Sequence, residues 1–160
     1  MCRPTPKKKF TKCLPIIILF FTALRILAAL RIPYMILADQ RYDDRMLFEN
    51  AYDLLSGVWL GSYDAYTLAK GIGYPMFLVL AKKLCLPYSM LLALLQAVGA
   101  WLFVRALSVR WKTPYGQTLL YLLLLFSPIS LTQLVTQRLY RMAIVPGMVL
   151  VVFSGMIGLT

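Results

Sequence analysis

Four stretches of this chain, residues 14–24, 90–104, 119–131 and 142–159, contain no charged side chain. An α-helix rises about 1.5 Å per residue, so some 20 apolar residues cross the roughly 30 Å hydrocarbon core of a bilayer. Each stretch is most of that length. No water is available in that core to satisfy backbone amides, which leaves the helix as the natural conformation for such segments. With 61% apolar and only 14% charged residues, the whole chain also lies outside the soluble range. The expected fold is an all-α membrane protein. It has about four transmembrane helices plus an extracytoplasmic amphipathic helix and a short re-entrant or interfacial helix.

The formal charge of +11 does not point to nucleic acid, because the basic residues are scattered between apolar runs and form no polar recognition helix. Arg3, Lys7, Lys8, Lys9 and Lys12 precede the first apolar run. Such a cluster holds an N-terminus in the cytoplasm. The three cysteines, Cys2, Cys13 and Cys85, form neither a disulfide nor a metal framework by spacing. Histidine is absent, so any proton transfer falls to a carboxylate, Lys, Tyr or Cys.

The basic tail covers residues 1–13, and residues 14–38 read as a long, tilted first span. A cleavable signal peptide is the weaker reading of this start, because apolar sequence resumes over 26–30 and 32–38. Arg31 can snorkel to an interface, whereas Arg25 lies deep enough that it is expected to face other helices. Residues 39–70 form an outer loop, and all six acidic residues (Asp39, Asp43, Asp44, Glu49, Asp53, Asp64) fall in the window 39–64. The plain explanation is that this loop is the wettest part of a membrane protein. Within it Leu47, Phe48, Ala51, Leu54, Leu55 and Val58 recur at helical spacing, with Arg45, Glu49, Asn50, Asp53 and Ser56 opposite. That pattern predicts an amphipathic helix over 44–57, capped by Asp43 or Asp44 and stopped by Gly57. It would lie flat at the outer surface, its apolar stripe in lipid or against the bundle. Trp59, Tyr63, Tyr66 and Tyr74 read as an interfacial aromatic cluster.

Residues 71–84 carry too short an apolar run to span and read as the re-entrant or interfacial piece. Spans are then expected over 88–107, 115–134 (with a kink at Ser127-Pro128) and 142–160. If 71–84 stays at the outer face, Arg105, Arg110 and Lys112 reach the cytoplasm, as positive-inside bias prefers; if it crosses, they are outside. The last apolar run stops at Thr160 with no polar tail, which points to a longer chain.

Several residues could carry chemistry. Asp43 and Asp44 form an adjacent carboxylate pair at the mouth of the amphipathic helix, a candidate acid/base site whose plainer role is capping. Lys70, in Lys-Gly-Ile-Gly-Tyr-Pro, could meet a phosphate, although the segment is not a P-loop and snorkelling is the plainer reading. Arg138 and Arg141 could clamp a lipid phosphate, or anchor the chain to headgroups. The Asp pair could hold a divalent metal, but adjacent carboxylates without further ligands fall short of a dedicated site, so no cofactor is assigned.

The segment Asp-Asp-Arg-Met-Leu-Phe-Glu-Asn-Ala-Tyr-Asp-Leu-Leu-Ser-Gly (43–57), followed by Gly-Tyr-Pro-Met-Phe-Leu (73–78), resembles the first outer loop of GT-C superfamily membrane glycosyltransferases. The resemblance is closest to the protein mannosyltransferase-like bacterial members, and the order of elements agrees through residues 14–160. It implies an enzyme of the bacterial plasma membrane that moves a sugar from a polyprenyl-phosphate donor lipid to an extracytoplasmic acceptor. Asp43 would be the catalytic carboxylate, Asp44 its acidic neighbour, and Lys70, Arg138 and Arg141 would bind the donor. GT-C enzymes carry more spans than this chain, so it would be an N-terminal fragment, inactive by itself. The alternative is a non-catalytic membrane protein, a transporter piece or assembly subunit, with Arg25 lining a pathway.

Overall fold

The computed structural model describes residues 6–34, 44–59, 71–135 and 141–159, with side chains for 14–34, 45–59, 71–131 and 141–159. All secondary structure among them is helical: α1 (Pro6–Leu30), α2 (Asp44–Leu55), α3 (Gly73–Lys83), α4 (Tyr88–Leu107), α5 (Pro114–Leu125), α6 (Pro128–Val135), a 3-10 turn at Arg141–Ala143, and α7 (Val145–Gly158).

Helix α4 is the hub, packing against α1, α5 and α7. Small residues let its neighbours approach closely. Ala29 of α1 meets Ala93, and both are essentially fully buried. Ala97 and Ala100 pack on Tyr121 and Leu125 of α5. Against α7 the approach is backbone to backbone: a Cβ built on Gly99 would lie 2.7 Å from the Gly147 carbonyl oxygen. These contacts run α1 antiparallel to α4 and α7 parallel to it.

Many large apolar side chains lie on the outside of the bundle. Leu19, Phe20 and Leu27 of α1, Leu119 and Leu123 of α5, and Val152, Phe153 and Met156 of α7 are all exposed. Soluble monomers rarely carry apolar surface on this scale. By length and composition, two helical stretches among the described residues are sufficient to cross a membrane, Tyr88–Leu107 and Pro114–Leu131. Within the same residues, Leu14–Leu30 and Val145–Gly158 are shorter apolar helices, and four transmembrane helices are not shown.

Three boundaries differ from the sequence expectation for physical reasons. The first helix begins at Pro6, inside the basic tail, and stops at Leu30. Pro33 disfavours helical backbone at Ile32, and the Arg31 and Ile32 amides close tight turns onto the carbonyls of Ala28 and Ala29. The expected single span over 115–134 is two helices, α5 and α6, separated at Phe126 and Ser127. Pro128 has no N–H to donate to Leu124, so the α5 ladder ends there. The last helix starts at Val145, with Arg141–Ala143 forming a separate turn.

Candidate functional site

Helices α2 and α3 pack on each other at the end of the bundle where α4 begins. The α2 helix ends at a left-handed glycine: Gly57 has φ +81°, its amide donates to Leu54, and the Val58 amide reaches back to Asp53 at 2.9 Å. This pair of bonds satisfies carbonyls that the helix terminus would otherwise leave open. The end of α3 repeats the geometry, with Cys85 donating to Lys82 and Leu86 to Ala81, but Cys85 supplies the left-handed residue at φ 52°.

The buried face of α2 is rotated from the sequence expectation. Leu47, Asn50 and Ala51 are buried, whereas Phe48 and Leu55 are exposed. Asn50, read as part of the polar face, therefore points inward. Leu47 packs with Tyr74 into a cluster that also includes Tyr34, Leu78, Tyr88 and Ile144. Tyr74 is thus a core residue, not an interfacial one: it is 3% exposed, and its hydroxyl is 2.7 Å from that of Tyr88. The rings of Tyr34 and Phe77 both meet Tyr88 edge to face, at 4.8 and 6.0 Å between centroids. Trp59 remains exposed.

Just inside this aromatic layer sits Arg25, 3% exposed. Its Nε donates to the Leu125 carbonyl at 3.4 Å and its Nη2 to the Ser130 carbonyl at 3.2 Å. Gln96 of α4 donates to the Leu124 carbonyl at 2.7 Å. The break before Pro128 leaves the Leu124 and Leu125 carbonyls without the i+4 amides of a continuous helix, and Gln96 of α4 and Arg25 of α1 reach them instead. Ser127 joins in, accepting from the Ser130 amide through its Oγ while its own carbonyl accepts from Ser130 Oγ. Arg25 faces the interior of the bundle, as its depth in the sequence suggested.

Three side-chain atoms at this end are buried with no hydrogen-bond partner among the described residues: Nη1 of Arg25, Oη of Tyr34 and Nδ2 of Asn50. All three can donate a hydrogen bond, and the two nitrogens can do nothing else. Leaving such donors unpaired costs about 1–3 kcal/mol each.

Of the residues singled out from sequence, Asp43, Lys70 and Arg138 lie outside the described residues, as do Tyr63 and Tyr66. Asp44 opens α2, although its side chain is not among those described. Arg141 opens the 3-10 turn and is exposed. Ile144, three residues on, packs in the Leu47 and Tyr74 cluster, so the elements carrying Asp44 and Arg141 share one end of the bundle. Sequence reasoning did not single out Tyr34, Asn50, Tyr88 or Gln96. The clearest available signal was Gln96 itself, a polar residue in the middle of the charge-free stretch 90–104. Among the described residues, no three acidic or cysteine side chains cluster to hold a metal ion.

Compared with known proteins, the chain matches no family model, no curated protein and no solved structure.

Proposed function

We propose that residues 1–160 are the membrane-embedded N-terminal part of a glycosyltransferase that takes its sugar from a polyprenyl-phosphate lipid and delivers it to an acceptor outside the cytoplasm. In this reading the chain is an integral membrane protein with its basic N-terminus inside. The α2 and α3 end faces outward.

The observation that carries the proposal is the donor-rich end of the bundle, where Arg25, Tyr34 and, on α2 itself, Asn50 each keep a buried donor unpaired among the described residues, at the end where α2 starts at Asp44. A phosphate ester is the kind of partner such donors suit. Asp43 accepts the proton of the acceptor hydroxyl as its oxygen bonds to the anomeric carbon. The bond from that carbon to the phosphate oxygen breaks, and its electron pair leaves with polyprenyl phosphate. A carboxylate is the natural base in a chain without histidine. Asp44 lies beside it, and Lys70, Arg138 and Arg141 offset charge growing on the leaving phosphate. The packing of Ile144 against Leu47 and Tyr74 supports grouping Arg141 with the acidic helix. The pathway role for Arg25 has no comparable support, since two of its nitrogens already serve the break between α5 and α6.

The test is Asp43→Asn in the natural full-length protein, assayed in membranes with a polyprenyl-phosphate-linked sugar. Transfer should fall by at least about a hundredfold, the scale of a lost general base, at unchanged protein level. Transfer at the wild-type rate would refute the assignment.

A further inference from the structure

At the opposite end of the bundle, where α4 finishes and α5 begins, α1, α4 and α5 part to leave a groove of about 380 Å³. Ile18, Trp101, Val104 and Tyr121 make its walls apolar, and among the described residues Arg105 is the one charged side chain lining it. The neutral polar groups of the groove are already used within the protein. Tyr121 shares a 2.7 Å hydrogen bond with Thr22, Thr118 donates to the Pro114 carbonyl, Ser108 to the Arg105 carbonyl, and Gln117 to the Trp111 carbonyl. Arg105 is exposed, and its guanidinium carbon lies 5.3 Å from the Trp101 ring centroid. Stacking of this kind holds a guanidinium in place while leaving its N–H fork free to point elsewhere.

The charge around this groove has one sign. Arg110 and Lys112 follow Arg105 in the turn between α4 and α5, and the first turns of α1 carry Lys7, Lys8, Lys9 and Lys12. Every acidic residue of the chain lies between 39 and 64, so neither residues 1–38 nor 65–160 contain a carboxylate side chain.

We propose that this groove binds one anionic phospholipid, with an acyl chain against Ile18, Val104 and Tyr121 and the headgroup phosphate on Arg105. The apolar walls suit a hydrocarbon chain, and the groove opens at the helix ends, where headgroups lie. The uniformly positive rim disfavours a headgroup carrying its own cation, which selects anionic over zwitterionic lipid. The proposal is independent of the glycosyltransferase reading and concerns the other end of the molecule.

Native mass spectrometry of the detergent-solubilised full chain, titrated with phosphatidylglycerol or phosphatidylcholine of identical acyl chains, tests it. The wild type should bind phosphatidylglycerol about tenfold more tightly, the scale of one or two basic contacts near a membrane surface. Arg105→Gln, an exposed change that spares the fold, should bring the two lipids within about twofold of each other. Leu14→Trp, which narrows the groove without altering charge, should weaken both. Equal binding of the two lipids by the wild type would overturn the proposal. So would a preference that survives Arg105→Gln and disappears only when Lys7, Lys8, Lys9 and Lys12 are neutralised. Displacement of bound phosphatidylglycerol by equimolar inorganic phosphate would also overturn it, by showing a free-anion site.

Discussion

Where α4 begins, Tyr34, Tyr74, Tyr88 and Leu47 close the bundle with buried aromatic rings, and Arg25 is drawn inside to serve backbone carbonyls; where α4 ends, Trp101 and Arg105 border an open groove and the guanidinium stays at the surface. The same residue type does different work because the backbone around it differs. Near Arg25 a proline has broken a helix, creating acceptors that only a long donor can reach. Near Arg105 the helix simply ends, the local hydroxyls and amides are satisfied, and the cation remains available to a ligand. Burial of Arg25 thus goes with the helix break at Phe126 and Ser127, which leaves the Leu125 carbonyl open to its Nε.

Removing each device gives an expected order of effects. Arg25→Met should be the most damaging, because the Leu125 carbonyl loses the donor that replaces its helical partner. A cost of about 2 kcal/mol follows from a lost bond to a charged group, moderated by the modest values found between membrane helices. It would be read as a lower thermal midpoint in detergent, and an unchanged midpoint would break the contrast. Cys85→Gly acts in the other direction. Cys85 occupies a left-handed position that glycine adopts without strain, so the change should stabilise by about 1 kcal/mol, measured the same way. Arg105→Gln should alter stability by no more than about 0.5 kcal/mol, as expected for an exposed residue, while changing lipid preference. A large loss of stability there would make the two ends alike.

Much of the helical framework was legible in the sequence, because apolar periodicity and terminal signals are local. Gly57 marks the end of α2 as its residue type suggests, and α3 occupies most of the short apolar piece between Gly71 and Leu84. What escaped depends on partners distant in the chain. Asn50 and Tyr74 look interfacial by residue type, yet both are buried, and α2 and α3 pair through Leu47 and Tyr74. Ser127-Pro128 reads as a kink, but whether it bends or breaks a helix depends on donors from Arg25 and Gln96, roughly 100 and 30 residues away in sequence. Cys85 gives no hint of a left-handed cap because glycine is the usual signal. For the proposed site, the sequence supplied Asp43, Asp44 and Arg141, while the buried donors of Tyr34 and Asn50 emerged only from packing.

The account rests on the two ends of α4 lying on opposite sides of a membrane. Single cysteines at Ser56, beside the end of α2, and at Lys112, in the turn between α4 and α5, are both at positions the fold leaves exposed. They should be introduced into a chain with Cys2, Cys13 and Cys85 replaced by serine. With a membrane-impermeant maleimide, intact cells whose outer barrier has been opened should label position 56 and not 112, and 112 should react once the inner membrane is breached. Labelling of both positions from the same side, or of 112 alone from outside, would contradict it.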